Sequence, residues 1–577
     1  MKNFFIGLVA GLLLAGLTLL VFVFAMIRLA GSFAQRPVRV ADGSTLVLKL
    51  DGDVPEKAPP EIPLPFFQAQ QALTVREVWQ TFRQAAADNR IKGVLFEPRG
   101  LSIGWAKMEE IHDEILNFKK SGKPIITYLH NPSARELYLA VATDRVFLMP
   151  EDSLDLKGLR VESMFVKNTL DKIGVKAEVI HAGKYKDAGD VLTQTSMTPE
   201  TREVLNDVLD QYYGNLVDTI AEGRKKSADS VRAIIDNGPY QASEALSNGL
   251  VDTLGYEEQA VQDLESRLKQ SELKRISARS YIRAPLPTSG VTRRIAFVVG
   301  QGDITAGSGN ESIDDQNFSA TSFIRLLKQV ENDSTIRGVI LRIDSPGGDG
   351  VASDDILHEV KILSTKKPLV VSMSDTAASG GYYVAASGDP ILAYPNTLTG
   401  SIGVIFARMT LHGLYDKIGI NKQLLTRGRY ADIDSDYTTL TDDEHRKIAG
   451  QIDAFYRAFV NVVAAGRKKN FDQIEPLAQG RVWLGAQAKQ NGLVDELGGL
   501  DKAVDLIRQR AHIPASERIT LVPYPGKRSI VELLLNRQDD SSDVEMKMAK
   551  TLLGKLPVQA LAHGGYLKLM PYSIEVR

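Results

Sequence analysis

The stretch Ala377-Ala378-Ser379-Gly380-Gly381-Tyr382 sets one hydroxyl among small residues. A nucleophilic serine at a tight strand-to-helix turn needs such neighbours, which leave its side chain open and let the next N–H face an oxyanion. Serine is a poor nucleophile until a base takes its proton, and no histidine lies within twenty residues of Ser379 on either side. Upstream, Ser345-Pro346-Gly347-Gly348 follows an apolar β-branched run. Adjacent glycines let a backbone approach a ligand closely with its N–H groups turned outward, so Gly347, Gly348 and Gly380 are the candidate oxyanion donors.

The base must come from elsewhere in the chain, and Gly183-Lys184-Tyr185-Lys186-Asp187-Ala188 offers it. A lysine ammonium titrates near ~10.4, and burial in a low-dielectric pocket lowers that value and frees the amine to accept a proton. Lys186 is the preferred base. Lys184 is its rival, because on an extended segment two residues that are two apart point the same way, and His181 is a further competitor. Ser401, in Thr399-Gly400-Ser401-Ile402-Gly403, could orient the amine as the third member of a triad does. Asp349 suits a cap for the helix that follows it.

These residues must be positioned by a duplicated frame. Ile91-Lys92-Gly93-Val94-Leu95-Phe96 returns as Ile336-Arg337-Gly338-Val339-Ile340-Leu341, an offset of 336 − 91 = 245. At or near that offset, residues 138–144 match 383–389, 183–188 match 428–433, 221–231 match 464–474 and 247–255 match 490–498. A spacing held over such distances is a tandem duplication of a large domain, not a short repeat. Apolar β-branched runs alternate with amphipathic helical stretches such as 321–332, which argues for α/β units with buried parallel strands. The division expected is an anchor over 1–44, a first domain over 45–272, a linker over 273–292 rich in Arg, Pro and Ser, a second domain over 293–514, and a tail over 515–577.

Each copy shows what the other has dispensed with. Opposite Ser345-Pro346-Gly347-Gly348 the first half carries Gly100-Leu101-Ser102-Ile103. Opposite Ala378-Ser379-Gly380-Gly381, within a residue, it carries Ser133-Ala134-Arg135-Glu136, whose long side chains would obstruct a nucleophile; opposite Ser401 stands Leu156. Lys186, in turn, falls opposite Ala431. Complementary losses imply one site shared by both halves, with Lys186 activating Ser379.

Composition narrows the alternatives. A net charge of −2 gives no global basic excess to recruit nucleic acid. The absence of cysteine removes thiolate chemistry, and the 8 histidines form no metal-binding spacing, so neither metal nor cofactor is expected. The uncharged run Phe4–Ile27 exceeds the ~20 residues that span a bilayer and predicts an uncleaved transmembrane anchor. Its flanking charges do not orient it, since Arg28, Arg36 and Arg39 follow it and only Lys2 and the terminal amine precede it.

Taken together, the serine, glycine and lysine motifs in a duplicated chain behind an anchor resemble the long form of the signal peptide peptidase A family, also called protease IV. The resemblance covers about residues 45 to 510. It implies tandem Clp-protease-like or crotonase-like α/β domains, a serine endopeptidase with a lysine base, and short hydrophobic peptides such as signal-peptide remnants as substrates. It also implies a homotetramer held at the cytoplasmic (inner) membrane with its body on the periplasmic side. On this resemblance the nucleophile falls on Ser379, the base on Lys186 and the lysine-orienting serine on Ser401. Asp349-Gly350 departs from the small or hydroxyl residue and aliphatic residue expected after the glycine pair, which bears on the substrate groove. A crotonase-like acyl-CoA enzyme and a catalytically silent envelope scaffold are the alternatives; the scaffold does not explain why one half keeps the serine motif and the other the lysine.

Overall fold

The computed structural model describes residues 38–58, 72–285, 290–307, 318–526, 565–570 and 576, with the single positions 11 and 18. The expected span Phe4–Ile27 otherwise lies outside the described residues, among which no helix is long and apolar enough to cross a membrane.

The first half contributes β1 (Ser44–Asp51), β2 (Ile91–Arg99), β3 (Ile125–Leu129), β4 (Arg145–Leu148), β5 (Lys176–Ala182), β6 (Thr253–Leu254) and β7 (Lys274–Ser277). All but β5 form one parallel sheet in the order β6-β4-β3-β2-β1-β7. Helices α1 (Val75–Ala87), α2 (Trp105–Lys119), α3 (Ala134–Ala140) and α4 (Pro199–Arg224) lie between these strands. Helix α1 shows the local logic: Val75, Val78, Phe82 and Ala85 recur on its buried face, and Thr74 with Glu77 closes a capping box at its start.

The second half repeats the plan with β8 (Thr292–Gln301), β9 (Ile336–Ser345), β10 (Gly347–Asp349), β11 (Leu369–Ala378), β12 (Leu398–Gly400), β13 (Val404–Thr410), β14 (Val482–Leu484) and β15 (Arg518–Tyr524). Its main sheet runs β14-β12-β11-β9-β8-β15, parallel except for the antiparallel β12–β14 pair. Strands β9 and β11 are buried along almost their whole length, as a sheet covered on both faces requires, and this is why they read as continuous apolar runs rather than alternating ones. Helices α5 (Gly350–Lys366), α6 (Gly380–Ala385) and α7 (Asp442–Gly466) pack in this half.

A third sheet joins the halves. In it β10, β16 (Gly565–Leu569), β13 and β5 are neighbours in that order. Strand β5 of the first half pairs antiparallel with β13 of the second over the full register, Val404↔Ala182 to Thr410↔Lys176. The chain leaves β5 at Ala182, so the loop carrying Lys186 emerges among elements of the second half.

The contact between halves also buries charge. Arg342 on β9 is fully buried; one amino group lies 2.8 Å from Glu56 and 2.5 Å from Glu110, both in the first half. Lys107 on α2 reaches Asp344 at 2.8 Å and Asp375 at 3.5 Å, and Trp79 donates its indole N–H to Asp501 at 2.7 Å. The carboxylates around Arg342 and Lys107 hold both cations above their ordinary values despite burial.

Candidate active site

Ser379 ends β11 and caps α6 with φ 51° and ψ −113°, a conformation rare for a residue with a side chain. The strain is held on both sides: its N–H donates to Gly400 O at 2.8 Å, and Tyr383 N–H donates to its carbonyl at 2.8 Å. Small neighbours are required here. A Cβ on Gly380 would fall 2.6 Å from Ser353 Oγ, and one on Gly381 would fall 2.6 Å from Ser345 O. The result is an elbow that lifts the hydroxyl out of the sheet.

Lys186 is the partner of that hydroxyl. Its Nζ lies 2.8 Å from Ser379 Oγ, 2.8 Å from Ser401 Oγ and 2.8 Å from Ser401 O, and its side chain is fully buried. Burial holds the amine well below its ordinary value, and only the adjacent Asp187 carboxylate opposes that shift. Asp187 is itself pushed up to about 6 by burial and accepts a hydrogen bond from Thr201. Ser401 also takes a positive φ, 51°, and its N–H donates to Arg481 O at 2.7 Å. Lys186, Ser379 and Ser401 therefore meet within a single chain, one from the first half and two from the second.

The competing bases lie elsewhere. Residues 183–186 form a turn rather than an extended segment, with Lys186 N–H donating to Gly183 O at 3.2 Å. The turn sends Lys186 inward and leaves Lys184 exposed, 3.4 Å from Glu200. His181 is exposed on β5 and its Nδ1 is 3.1 Å from Gly183 O.

The structure separates the glycines proposed for the oxyanion. Gly347 and Gly348 have φ of 103° and 149°, in the region that favours glycine. Gly347 N–H, however, donates to Ser345 Oγ at 3.2 Å. Gly348 lies on β10 opposite Lys568 of β16, and Gly380 N stands 2.6 Å from where a Cβ on Gly347 would be. Gly348 and Gly380 are thus the pair the geometry offers, and Gly347 supplies the turn. Asp349 caps α5, accepting from Ala352 N–H at 2.8 Å.

Sequence reasoning did not find the residues that seat the lysine. Gly480, with φ 77°, lies so close that a Cβ there would be 2.5 Å from Lys186 Cβ, and a Cβ on Gly403 would be 3.0 Å from Lys186 Cδ. Gln479 accepts from Tyr185 N–H at 2.8 Å through its carbonyl, and from Lys184 N–H at 3.0 Å through its side chain. A signal existed: Gln479-Gly480-Arg481 repeats Asn237-Gly238-Pro239 of the first half, so a glycine recurs at that turn.

The first half holds a closed version of the site, and here the residue-level match shifts by one. Ser133, not Ala134, caps α3 as Ser379 caps α6. A serine is therefore present, but its Oγ donates to Glu136 at 2.5 Å, and Glu136 also accepts from Ser133 N–H at 2.8 Å and Leu101 N–H at 2.5 Å. A carboxylate of the chain itself thus holds this hydroxyl and both amides. Among the described residues no cluster of three or more His, Asp or Glu side chains is placed to hold a metal ion.

A family model described as Peptidase family S49 matches residues 117–271 and 361–514. The chain is 36% identical over 497 residues to "Serine protease SPPA, chloroplastic" from Arabidopsis thaliana, covering 85% of this chain and 72% of that protein. It is 30% identical over 507 residues to "Protease 4" from Haemophilus influenzae, covering 83% of this chain and 80% of that protein. A "Protease 4" from Salmonella typhi is 28% identical over 507 residues, covering 85% of this chain and 80% of that protein.

Proposed function

Because the chain belongs to peptidase family S49, in two domain copies, and is a serine peptidase, we propose that it works through a split Ser-Lys dyad, with Ser379 as nucleophile and Lys186 as base. The observation that carries this reading is the buried Lys186 Nζ at 2.8 Å from Ser379 Oγ, with an environment that favours the neutral amine. The neutral amine takes the serine proton as Oγ attacks the scissile carbonyl, and the N–H groups of Gly348 and Gly380 receive the oxyanion. Ser401 fixes the lysine by hydroxyl and carbonyl. The lysine then protonates the leaving amine, and water drawn by the same base releases the acyl group.

The substrate is an extended peptide, read here as a short hydrophobic segment such as a signal-peptide remnant. The "Serine protease SPPA" and "Protease 4" relatives support a peptide substrate, and the hydrophobic class rests on the family resemblance. The two halves are read as Clp-protease-like or crotonase-like units; their parallel sheets with helical connections support this. The apolar run Phe4–Ile27 supports a membrane anchor; a body on the periplasmic side of the cytoplasmic membrane and a homotetrameric assembly rest on the family resemblance alone.

The test is hydrolysis of a fluorogenic hydrophobic peptide by the full chain and three variants. Ser379→Ala and Lys186→Ala are expected to lose at least ~10³-fold in kcat/KM while remaining folded, and Lys184→Ala to stay within about threefold of wild type. Undiminished cleavage by Ser379→Ala would show that another residue is the nucleophile.

A further inference from the structure

Arg481 lies where the two contributions to the site meet. It precedes β14, whose Val482 pairs with Gly400 at the end of β12. The Gly400 carbonyl accepts from Ser379 N–H at 2.8 Å, and the Arg481 carbonyl accepts from Ser401 N–H at 2.7 Å. Its main chain is thus joined directly to the turn that carries Ser401 and, through Gly400, to Ser379. Its side chain crosses to the first half. The guanidinium stands over the Tyr185 ring, 4.9 Å from its centre, and over the Trp483 ring at 4.7 Å. One amino group reaches Glu203 at 2.6 Å and the other Asp207 at 2.7 Å, both on α4.

The start of the same helix grips the lysine turn on both sides of the base. Glu200 lies 3.4 Å from Lys184 Nζ, Glu203 accepts from the Tyr185 hydroxyl at 3.2 Å, and Thr201 donates to Asp187. Lys186 itself is held by Ser401 and Gly480 of the second half. Arg481 belongs to both grips, since its guanidinium is fixed by the α4 carboxylates and its carbonyl fixes Ser401. Such ion pairs add little stability: the Glu203 and Asp207 side chains are 49% and 39% exposed, against 13% for Arg481. A planar guanidinium shared by two carboxylates and laid on aromatic faces instead fixes direction and distance. The duplicated frame agrees with such a role. The turn matching the lysine turn carries Ala431 and has no base to seat, and opposite Arg481 the first half holds Pro239.

We propose that Arg481 is a positioning residue for the dyad, tying the turn that carries Lys186 to the turn that carries Ser401 so that the amine stays within reach of Ser379 Oγ. The proposal deepens the reading of Ser379 as nucleophile and Lys186 as base, and rests on it. Arg481 acts through Tyr185 and Ser401, not on the reacting atoms. Its loss should therefore slow the chemical step and leave substrate binding alone.

Hydrolysis of a fluorogenic hydrophobic peptide is measured for the full chain as wild type, Arg481→Met, Ser401→Ala, the double variant of these two, and Ser379→Ala, each checked for folding by circular dichroism. Arg481→Met leaves two half-exposed carboxylates and no buried unpaired charge, so it should fold. It should lose about 10–100-fold in kcat, with KM within about threefold of wild type. Because Arg481 and Ser401 act on one amine, the double variant should lose no more than about threefold beyond the worse single variant. A kcat within about threefold of wild type in folded Arg481→Met, or single losses that multiply in the double variant, overturns the proposal and leaves the Ser-Lys reading intact. Undiminished cleavage by Ser379→Ala removes both. Should Arg481→Met not fold, Glu203→Gln with Asp207→Asn frees the guanidinium from α4 without emptying its place. That variant should lose kcat severalfold, and an unchanged kcat overturns the proposal.

Discussion

Gly480 tests whether the lysine's seat, and not only its presence, sets activity. In Gly480→Ala the new Cβ would lie 2.5 Å from Lys186 Cβ and 2.6 Å from Lys186 N. Restoring an ordinary carbon contact of ~3.5 Å requires the lysine backbone to retreat by about 1 Å. Its Nζ then leaves hydrogen-bond range of Ser379 Oγ and Ser401 Oγ, both now at 2.8 Å. A misplacement of that size costs about 10²-fold in rate, or ~2.7 kcal/mol in activation free energy. The positive φ of 77° adds a fold penalty of ~1–2 kcal/mol and crowding adds ~1–3 kcal/mol. A domain stable by ~5–15 kcal/mol survives both. Gly52→Ala is the control, since Gly52 has a φ of 66° with nothing within 4 Å. Peptide hydrolysis is measured for both variants after circular dichroism establishes that each is folded. If kcat/KM of folded Gly480→Ala lies within threefold of the Gly52→Ala value, the argument from lysine placement is wrong.

Ser401→Ala removes one of the two groups that fix Lys186 and leaves the Ser401 carbonyl in place; the loss of a hydrogen bond of ~1–3 kcal/mol predicts a 10–100-fold fall in kcat/KM, and an unchanged rate would exclude the orienting role. Asp187→Asn removes the one nearby charge that favours protonated Lys186. The lysine value should fall further, so the acidic limb of the kcat/KM–pH profile should move down by about one unit when read above pH 6, where Asp187 is ionised; movement upward contradicts the assignment. Arg342→Met leaves Glu56 and Glu110 buried without their cation. This should lower stability by ~3–5 kcal/mol in urea unfolding, and a loss below ~1 kcal/mol would show that the interface does not depend on that charge.

Much of the site was legible because duplication supplies an internal comparison. The offset that aligned Ile91 with Ile336 also set Lys186 against Ala431 and Leu156 against Ser401, and a single domain would have offered no such contrast. What could not be read was local backbone geometry. Lys184 and Lys186 are separated only by the turn at Gly183, whose φ of 111° brings the chain against Gln479 from the other half. The three glycines were not distinguishable for a similar reason: Gly347 N–H donates to Ser345 Oγ two residues earlier, and nothing in Ser345-Pro346-Gly347-Gly348 states which amide turns outward. Strand β16 was illegible because pairing at an edge depends on which edge is free, and the edge of β10 exists only once the elbow and glycine turn have formed.

The closed site of the first half explains why the division of labour is stable. A serine at a helix start with free amides opposite it is an anion-binding cavity, and an empty one would leave buried donors without partners at ~1–3 kcal/mol each. Glu136 satisfies Leu101 N–H, Ser133 N–H and Ser133 Oγ together, so that half gains a capped helix where it has no working nucleophile. In the second half the residue three after the capping serine is Tyr382, whose hydroxyl donates to Leu493 O at 2.8 Å, so the first turn of α6 carries no carboxylate to turn back on Ser379. Beside this elbow the glycine strand is instead paired with β16, Gly347↔Leu569 and Gly348↔Lys568.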